Sequence, residues 1–309
     1  MKRAQSGQAN DPIRAIAILL VEIFFMGMIA VAVKVLDGRV PLLQILFFRF
    51  VLALIFPAVM ASRQGGISLL RTKRPVEHAL RSVTGMMGLG FYFLAVSELP
   101  LADATALVSA APLFVTIYAV PILGERVGPY RLFALGLGIC GMLLVAGPGQ
   151  GNGEISFVGA AAGILAALSA GFVPVFIRRM SSTEAPLTIA LFHNATGTVV
   201  FLIASLFVGW ESDLAVWDWA LLAGLGLAGG VQQYLLALAY RYGEASMLAP
   251  FDYMALPIAA VLGFAIFSEV PTLVSLAGGA IIIVGGLITV WRERVRHIPP
   301  RPPRRTKLK

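Results

Sequence analysis

The chain is predicted to be an all-α integral membrane protein in which ten transmembrane helices form two inverted five-helix repeats. Its composition, the recurrence of long apolar segments and a similarity between its two halves predict this fold. Of the 309 residues, 58% are hydrophobic and 13% are charged, which is too apolar a composition for a soluble domain with a single core. Lipid is therefore expected to surround most of the chain.

Apolar segments long enough to cross a bilayer recur along the whole sequence. A helix of about 20 apolar residues crosses a hydrocarbon layer of ~30 Å, and ten segments of roughly this length lie between polar breaks. The predicted spans are Ile13–Leu36, Pro41–Ser62, His78–Ser97, Ala102–Leu123, Tyr130–Gly147, Ser156–Ile177, Pro186–Gly209, Trp217–Tyr240, Ala245–Phe267 and Pro271–Trp291. The first run exceeds the ~7–15 apolar residues of a signal peptide, so it is predicted to be a membrane span.

The positions of the basic residues explain the net charge of +8 without nucleic acid as a partner. With the amino terminus placed in the cytosol, all 24 lysines and arginines except Lys34, Arg39 and Arg49 fall in segments assigned to the cytosolic side. This positive-inside asymmetry predicts an even number of spans and two cytosolic termini. The bacterial inner (plasma) membrane is the expected location, and a homo-oligomer is compatible with the sequence.

The second half of the chain repeats features of the first half at a distance of about 144 residues. The segment Tyr92-Phe-Leu-Ala resembles Tyr234-Leu-Leu-Ala, and Gly124-Glu125 resembles Ser268-Glu269. An odd number of spans in each half makes the second half enter the membrane from the opposite side, which predicts inverted topology. Transporters use this symmetry to alternate access to a site near the membrane midplane.

The first half also carries a family signature. The run Tyr92-Phe-Leu-Ala-Val-Ser-Glu-Leu-Pro-Leu-Ala-Asp-Ala-Thr-Ala-Leu, followed by Ala111-Pro112-Leu-Phe and Gly124-Glu125-Arg126, resembles the drug/metabolite transporter superfamily in its ten-helix EamA-type form. The resemblance covers both halves and nearly the whole chain. It implies a carrier of small organic solutes, such as amino acids, S-adenosylmethionine or riboflavin.

The domain boundaries follow from the repeat and the resemblance. They are a cytosolic N-terminus at 1–12, a first EamA-like repeat at 13–148, a linker at 149–155, a second EamA-like repeat at 156–292 and a basic, Pro-rich cytosolic tail at 293–309. The Gly- and Pro-rich stretch that begins at Gly147 is the expected join between the repeats.

Glu22 is the first candidate for a functional residue, because it lies in the middle of the first span. A carboxylate at that depth costs on the order of 2.5–3.5 kcal/mol on insertion scales, and such acids usually face a polar cavity. Glu22 is therefore predicted to bind substrate and to couple transport to protons. A structural ion pair with Arg49 is the alternative.

Arg49 and Asp252 are the other charged candidates for substrate binding. Arg49 lies near the middle of the second span, where a guanidinium could bind a carboxylate or phosphate in bidentate fashion. Neutralisation of Glu22 or Asp252 is its alternative role, since buried charges must be paired. For Asp252 the alternative is an inward-facing acid near the cytosolic end of the ninth span.

Prolines predict matched interruptions in the fourth and ninth spans. Pro250 and Pro257 flank Asp252, so the ninth span is expected to bend there and free carbonyl groups into a cavity. Pro112 holds a similar place in the fourth span. Paired interruptions in two repeats point to a transporter's binding site, and these three prolines are predicted hinges.

Polar side chains at membrane depth extend the predicted substrate site. Gln232 and Gln233 point about 100° apart on a helix, so at most one of them faces a cavity squarely. His193 and Asn194 could bind substrate, although hydrogen bonds between helices are the favoured role for them.

Two tyrosines complete the set of substrate-binding candidates. Tyr92 and Tyr234 occupy matched positions in the two repeats, and their rings could stack on an aromatic or cationic ligand. Core packing is the alternative for both.

Two motif matches are rejected as cofactor sites. The glycine patterns at 136–141 and 224–229 spell a dinucleotide fingerprint, but that fingerprint requires a strand and a βαβ unit. Inside apolar spans these glycines predict close helix packing, as do Gly159 and Gly163. Cys140 is the single cysteine, which excludes an intramolecular disulfide and a cysteine-rich metal site. No metal and no cofactor is predicted.

The predicted function is secondary active transport of a small organic metabolite by alternating access. Glu22, Arg49, Gln233 and Asp252 are predicted to line the midplane cavity. No G-x-x-x-x-G-K-[ST] phosphate-binding loop occurs, so an ion gradient or solute exchange must supply the energy. An enzyme is not predicted, and no residue is assigned to catalysis.

Two functions from other classes remain as alternatives. An intramembrane enzyme acting on a lipid or peptide could use Ser169 and His193, although the chain has no G-x-S-x-G motif and its histidines do not cluster. A passive channel would need a charged ring or a repeated filter, and the sequence offers neither.

Overall fold

A computed structural model describes residues 11–64, 66, 72–114, 118, 129–146, 156–180, 183–242, 248 and 251–296. Every regular element within these residues is a helix. The helices are α1 (Pro12–Leu36), α2 (Leu42–Ala53), α3 (Ile55–Gln64), α4 (Pro75–Glu98), α5 (Leu101–Val108), α6 (Pro129–Ala146), α7 (Phe157–Met180), α8 (Pro186–Val208), α9 (Val216–Tyr242), α10 (Ala255–Phe267) and α11 (Leu273–Arg296). The prediction of an all-α chain is confirmed.

Six helical segments of the described chain are long and apolar enough to cross a membrane. They are Ile13–Leu36, Leu42–Arg63, Pro75–Glu98, Phe157–Ile177, Pro186–Val208 and Val216–Leu236. Shorter apolar helices occupy Leu101–Phe114, Leu132–Ala146, Ala255–Phe267 and Leu273–Ile288. These shorter helices lie where the fourth, fifth, ninth and tenth spans are predicted. The exact number of ten crossings stays a prediction, whereas the apolar, multi-helix architecture is confirmed.

Local sequence signals set several helix starts. Asp11 caps α1, because its side-chain oxygen accepts a hydrogen bond of 3.1 Å from the backbone N–H of Arg14. Proline is the first residue of α1, α4 and α8, at a position where its missing N–H costs nothing and its fixed φ favours the helix. These starts are therefore encoded within a few residues of each helix.

A left-handed turn at the end of α10 positions an acidic side chain that joins three helices. Ser268 has a φ of 57° and closes α10, so that Glu269 follows directly. One oxygen of Glu269 pairs with Nζ of Lys34 on α1 at 2.5 Å. The other oxygen accepts the N–H of Leu101 at the start of α5 at 2.7 Å. The end of α10 is thereby tied to the first half of the chain.

The helix pairing is symmetric between the two halves of the chain. Helix α1 packs against α9 and α4 packs against α7, while α2 packs on α8, α5 on α10 and α6 on α11. By its place in the repeat, α1 corresponds to α7 and α4 corresponds to α9. Exchanging the two halves therefore converts the α1–α9 pair into the α7–α4 pair. The pairs α2–α8, α5–α10 and α6–α11 each join two corresponding helices, so the exchange leaves them unchanged. Such pairing is what a pseudo-two-fold axis between two repeats requires.

Glycines allow the closest of these helix contacts. A Cβ on Gly141 of α6 would lie 2.7 Å from the carbonyl oxygen of Gly278 on α11, and a Cβ on Gly278 would lie 2.8 Å from the carbonyl oxygen of Gly141. Gly163 of α7 packs against the side chain of Leu107, whose Cδ1 would lie 2.5 Å from an added Cβ. The interpretation of these glycines as packing surfaces is confirmed for most of them, whereas Gly136 and Gly224 meet nothing within 4 Å.

We expect Gly141→Ala to lower the free energy of unfolding by about 1–3 kcal/mol, because the added methyl group must push α6 and α11 apart. Gly136→Ala on the same helix is the matched control and should be neutral or slightly stabilising. Circular dichroism during denaturation in detergent micelles measures both. Equal effects of the two substitutions would show that the α6–α11 contact is not tight.

Candidate functional site

Polar contacts join the two halves of the chain at both ends of the helix bundle. At one end, Lys34 pairs with Glu269 and Arg39 pairs with Asp218, each at 2.5 Å. Gln44 also makes two hydrogen bonds of 2.9 Å with the backbone of Glu211.

At the other end, Glu184 accepts hydrogen bonds from the hydroxyl of Thr72 at 3.0 Å and from the N–H of Lys73 at 3.2 Å. Arg74 donates a hydrogen bond of 2.7 Å to the carbonyl of Arg179. Each contact pairs one residue from the first half with one from the second. A central layer of polar residues lies between these two sets.

The centre of this layer is a hydrogen-bonded chain of three buried side chains. Nε2 of Gln232 on α9 donates a hydrogen bond to a carboxylate oxygen of Glu22 on α1. Oε1 of the same amide accepts a hydrogen bond of 3.3 Å from Nη2 of Arg49 on α2. The amide of Gln232 therefore stands between the acid and the base in place of a direct ion pair. Gln232, and not its half-buried neighbour Gln233, makes these contacts.

Asp252 brings a second acid close to Glu22. Its side chain is half-buried, and its charge acts electrostatically on Glu22. Asp252 lies directly before the turn Tyr253–Met254 that precedes α10, whereas Glu22 lies on α1, and helices α1 and α10 pack against each other. The two predicted acidic candidates are thus brought together by tertiary contacts between the halves.

The helices that carry the predicted hinges are interrupted at matched places. Helix α5 ends at Val108, and the turn Ser109–Ala110 separates it from the helical turn that contains Pro112. In the second half, the turn Tyr253–Met254 precedes α10, which contains Pro257. Pro250 lies outside the described residues. Matched interruptions occur in the two helices, and the hinge role of the prolines stays a prediction.

The contacts of the two tyrosines are those of packing residues. Tyr92 is buried in the core, and its hydroxyl lies 3.1 Å from the hydroxyl of Thr105 on α5. Tyr234 is half-buried and packs its ring against Phe56, with 5.3 Å between ring centroids. These contacts favour core packing, the alternative that the sequence leaves open for both residues.

Arg81 is a functional candidate that the sequence did not reveal. The charge pattern assigns it to a cytosolic segment, but it lies inside α4 with only 3% of its side chain exposed. Its Nε and Nη1 atoms have no hydrogen-bond partner among the described residues. Its guanidinium lies over Gly85, which Cε1 of His193 also approaches. The sequence feature that could have revealed Arg81 as a candidate is its position inside the predicted span His78–Ser97.

Arg49 and the polar residues His193 and Asn194 of α8 also have buried polar atoms without hydrogen-bond partners. Within the described chain, Nε and Nη1 of Arg49, Nδ1 of His193 and both amide atoms of Asn194 lack hydrogen-bond partners. The His193 ring packs edge-on against Phe50, with 5.2 Å between ring centroids, and the charges of both Arg49 and Arg81 act on His193. The favoured interhelical hydrogen bonds of Asn194 are therefore not found among these residues.

Comparison with known proteins identifies the family. Both halves of the chain match the EamA-like transporter family, over residues 13–147 and 157–291. The chain belongs to this family. The two matches also confirm the two-repeat architecture that the internal similarity predicts.

Curated relatives of this EamA-like chain are transporters from bacteria. A pseudopaline exporter of Pseudomonas aeruginosa is 29% identical over 82% of this chain and 87% of its own length. A riboflavin transporter of Rhizobium johnstonii is 30% identical over 82% of each chain. An S-adenosylmethionine uptake transporter of Rickettsia bellii is 28% identical over 84% of this chain and 88% of its own length.

A solved crystal structure shares the fold of this EamA-like chain. The two chains are 21% identical and superimpose with a TM-score of 0.66, covering 91% of this chain and 98% of the other. The similarity therefore extends over both repeats. At this level of identity it shows the fold alone.

The candidate site of this EamA-like chain is assembled from both repeats. The first repeat supplies Glu22, Arg49 and Arg81, and the second supplies His193, Gln232 and Asp252. Transporters built from two repeats place substrate and coupling ions at the interface between the repeats. Because buried ionisable groups in membrane helices mark such sites, this layer is the candidate substrate site.

We expect Gln232→Met to lower the free energy of unfolding by about 1–3 kcal/mol, because it leaves Glu22 and Arg49 without the amide that satisfies both. Gln233→Met is the matched control, since it changes the adjacent residue outside the hydrogen-bonded chain. Denaturation of both purified variants in detergent, followed by circular dichroism, measures the difference. If the control loses as much stability as Gln232→Met, the bridge has no energetic role.

Proposed function

We propose that this chain is a secondary active transporter that carries a small organic metabolite across the bacterial inner membrane. The observation that carries this proposal is the buried chain from Glu22 through Gln232 to Arg49 at the interface between the repeats. Buried charges at membrane depth are costly and rare unless they serve binding or transport. Membership of the EamA-like transporter family supports transport as the general function.

Amino acids, S-adenosylmethionine and riboflavin-like compounds are the proposed substrate class. The curated relatives are named for pseudopaline, riboflavin and S-adenosylmethionine, which are all small organic molecules. One of these relatives is an exporter and another an uptake transporter, so similarity leaves both directions of transport open for this chain.

Alternating access is the proposed mechanism. The polar contacts at the two ends of the bundle all join one repeat to the other. When one repeat rocks against the other, the contacts at one end separate and open the central layer to that side, while the contacts at the other end stay closed. The matched interruptions near Pro112 and Pro257 lie in paired helices, where a bend would accompany this motion.

Glu22 is the proposed proton-coupling residue. Its carboxylate is buried, accepts a hydrogen bond from Gln232 and is repelled by Asp252, while Arg49 is reached only through the amide. A proton on Glu22 and a cationic or hydrogen-bond-donating group of the solute therefore compete for the same oxygens. Competition at one site couples the flow of protons to the flow of solute.

We expect Glu22→Gln to abolish the response of transport to a pH gradient, because the amide cannot release a proton. Thermal shifts of the purified protein with amino acids, S-adenosylmethionine and riboflavin identify a ligand for the assay. Uptake of that labelled ligand into proteoliposomes is then compared with and without an imposed pH gradient. Glu211→Gln, at an exposed site, is the matched control and should respond as the wild type does.

Three outcomes would contradict this proposal, one for the coupling residue and two for the class of protein. Unchanged pH-driven uptake by Glu22→Gln would exclude Glu22 as the coupling residue. Uptake that neither saturates nor shows counterflow would favour a channel. Chemical conversion of the ligand by the purified protein would favour an enzyme.

The proposed orientation places both termini in the cytosol. We expect cysteines introduced as Gln5→Cys and Thr306→Cys to react in intact cells only with a membrane-permeant thiol reagent. The natural Cys140 is exposed on its helix, so the substitutions are made in a Cys140→Ser background. Reaction of either cysteine with an impermeant reagent would place that terminus on the outer face and overturn the orientation.

A further inference from the structure

We propose that Arg49 and Arg81, with His193 and Asn194, form a binding site for an anionic group of the transported solute, a carboxylate or a phosphate. This inference rests on the proposed transport function and assigns the substrate chemistry of the same central layer. It places Arg81, which the charge pattern assigned to a cytosolic segment, in direct contact with the solute.

The unpaired hydrogen-bond donors are the first observation that supports this site. Arg49 is 1% exposed and Arg81 is 3% exposed, yet two nitrogen atoms of each guanidinium lack a partner among the described residues. Both amide atoms of the fully buried Asn194 lack one as well. Leaving a buried cation unsatisfied costs several kcal/mol in a membrane protein. A group that enters the layer during transport would satisfy these donors.

The acids of the central layer do not neutralise the two arginines. The ion pairs within the described chain involve Lys34, Arg39, Arg74, His78 and Arg179 as the basic partners, and neither Arg49 nor Arg81. Glu22 is engaged by the amide of Gln232. A guanidinium prefers a carboxylate or phosphate, which accepts two parallel hydrogen bonds from its planar fork. An anion that comes from outside the described chain is therefore the partner with the best chemical match.

Two glycines make room for the guanidinium groups. The guanidinium of Arg49 lies directly against Gly229 of α9, and that of Arg81 lies directly against Gly85 of its own helix. A Cβ at either position would overlap the guanidinium atoms. Cε1 of His193 also borders Gly85, its ring packs on Phe50, the residue after Arg49, and the charges of both arginines act on it. The two cations and the histidine thus belong to one cluster on α2, α4 and α8.

The cluster also gives the solute an orientation. The acidic side chains of the central layer lie on α1 and before α10, whereas the basic ones lie on α2 and α4. A solute that places its anionic group between Arg49 and Arg81 directs its remaining polar groups toward Glu22 and Asp252. Amino-acid-like solutes, which carry a carboxylate and an amino group, fit this arrangement.

The test measures the effect of simple anions on the thermal unfolding of the full-length protein purified in a neutral detergent. Sodium acetate and sodium phosphate are titrated against sodium chloride at constant ionic strength. We expect a saturable rise in Tm with acetate, with phosphate or with both, because ligands that bind the folded state stabilise it. A rise with acetate alone assigns a carboxylate to the site, and a rise with phosphate alone assigns a phosphate.

Variants locate the effect at the proposed residues. Arg49→Gln and Arg81→Gln should each weaken the apparent affinity for the anion about 10- to 100-fold, as expected for loss of a charge-assisted hydrogen bond. Arg179→Gln, which removes a half-exposed arginine at the end of the bundle, is the matched control and should titrate as the wild type does. If Arg81→Gln does not fold, Arg81→Lys and Gly85→Ala test the same position with smaller changes, and both should weaken binding.

Several outcomes would overturn the inference. No saturable rise in the wild type with either anion would show that the cluster does not bind anions. An unchanged affinity in the Arg81 variants would place any anion site elsewhere. A rise in nanodiscs that contain phosphatidylglycerol, lost in Arg81→Gln and absent with both acetate and phosphate, would assign the cluster to a lipid headgroup instead of a solute.

The assay separates this inference from the proposed transport function. Anion binding is measured as a rise in Tm without any gradient, so its result is obtained separately from that of pH-driven uptake. A protein that binds anions at Arg81 but does not transport refutes the transport proposal alone. A protein that transports with an intact pH response in Arg81→Gln, at unchanged KM, refutes the anion site alone.

Discussion

The structure depends on the rule that a charge placed in hydrocarbon must be satisfied by the protein, because no water is available there. Gln232 shows how this rule is met with a single side chain. Its amide offers a donor to Glu22 and an acceptor to Arg49, so one neutral residue of the second repeat holds both charges of the first. Helix α9, which carries Gln232, packs against both α1 and α2.

The same requirement explains why the polar contacts join the two repeats. A lysine or glutamate near a helix end is costly to bury in lipid, and its partner lies in the other repeat, as for Lys34 with Glu269 and Glu184 with Thr72. Glycines at positions such as 141 and 278 let helices of different repeats approach closely. Close apolar packing therefore holds the repeats together, and polar contacts join them at both ends and in the centre of the bundle.

Local features of the sequence predicted the helical fold well but predicted the site only in part. Apolar length depends on each segment alone, so α1, α4 and α8 begin close to where the pattern predicts. Glu22 and Arg49 stood out because a single charge interrupts a long apolar run. Arg81 did not, since it lies one turn from His78 near the start of a span, where basic residues ordinarily face the cytosol. Only the packing of α4 against α7 and α8 shows that its side chain turns inward.

The sequence by itself determined an all-helical membrane chain, its two related halves and the candidacy of Glu22 and Arg49, because length, composition and periodicity act within each segment. Tertiary structure alone decided that Gln232 and not Gln233 bridges Glu22 and Arg49, that Tyr92 packs against Thr105, and that Arg81 joins His193 beside Gly85. These contacts link residues on different helices. Their formation depends on how each helix is rotated and which neighbour it meets, and packing between the repeats sets both.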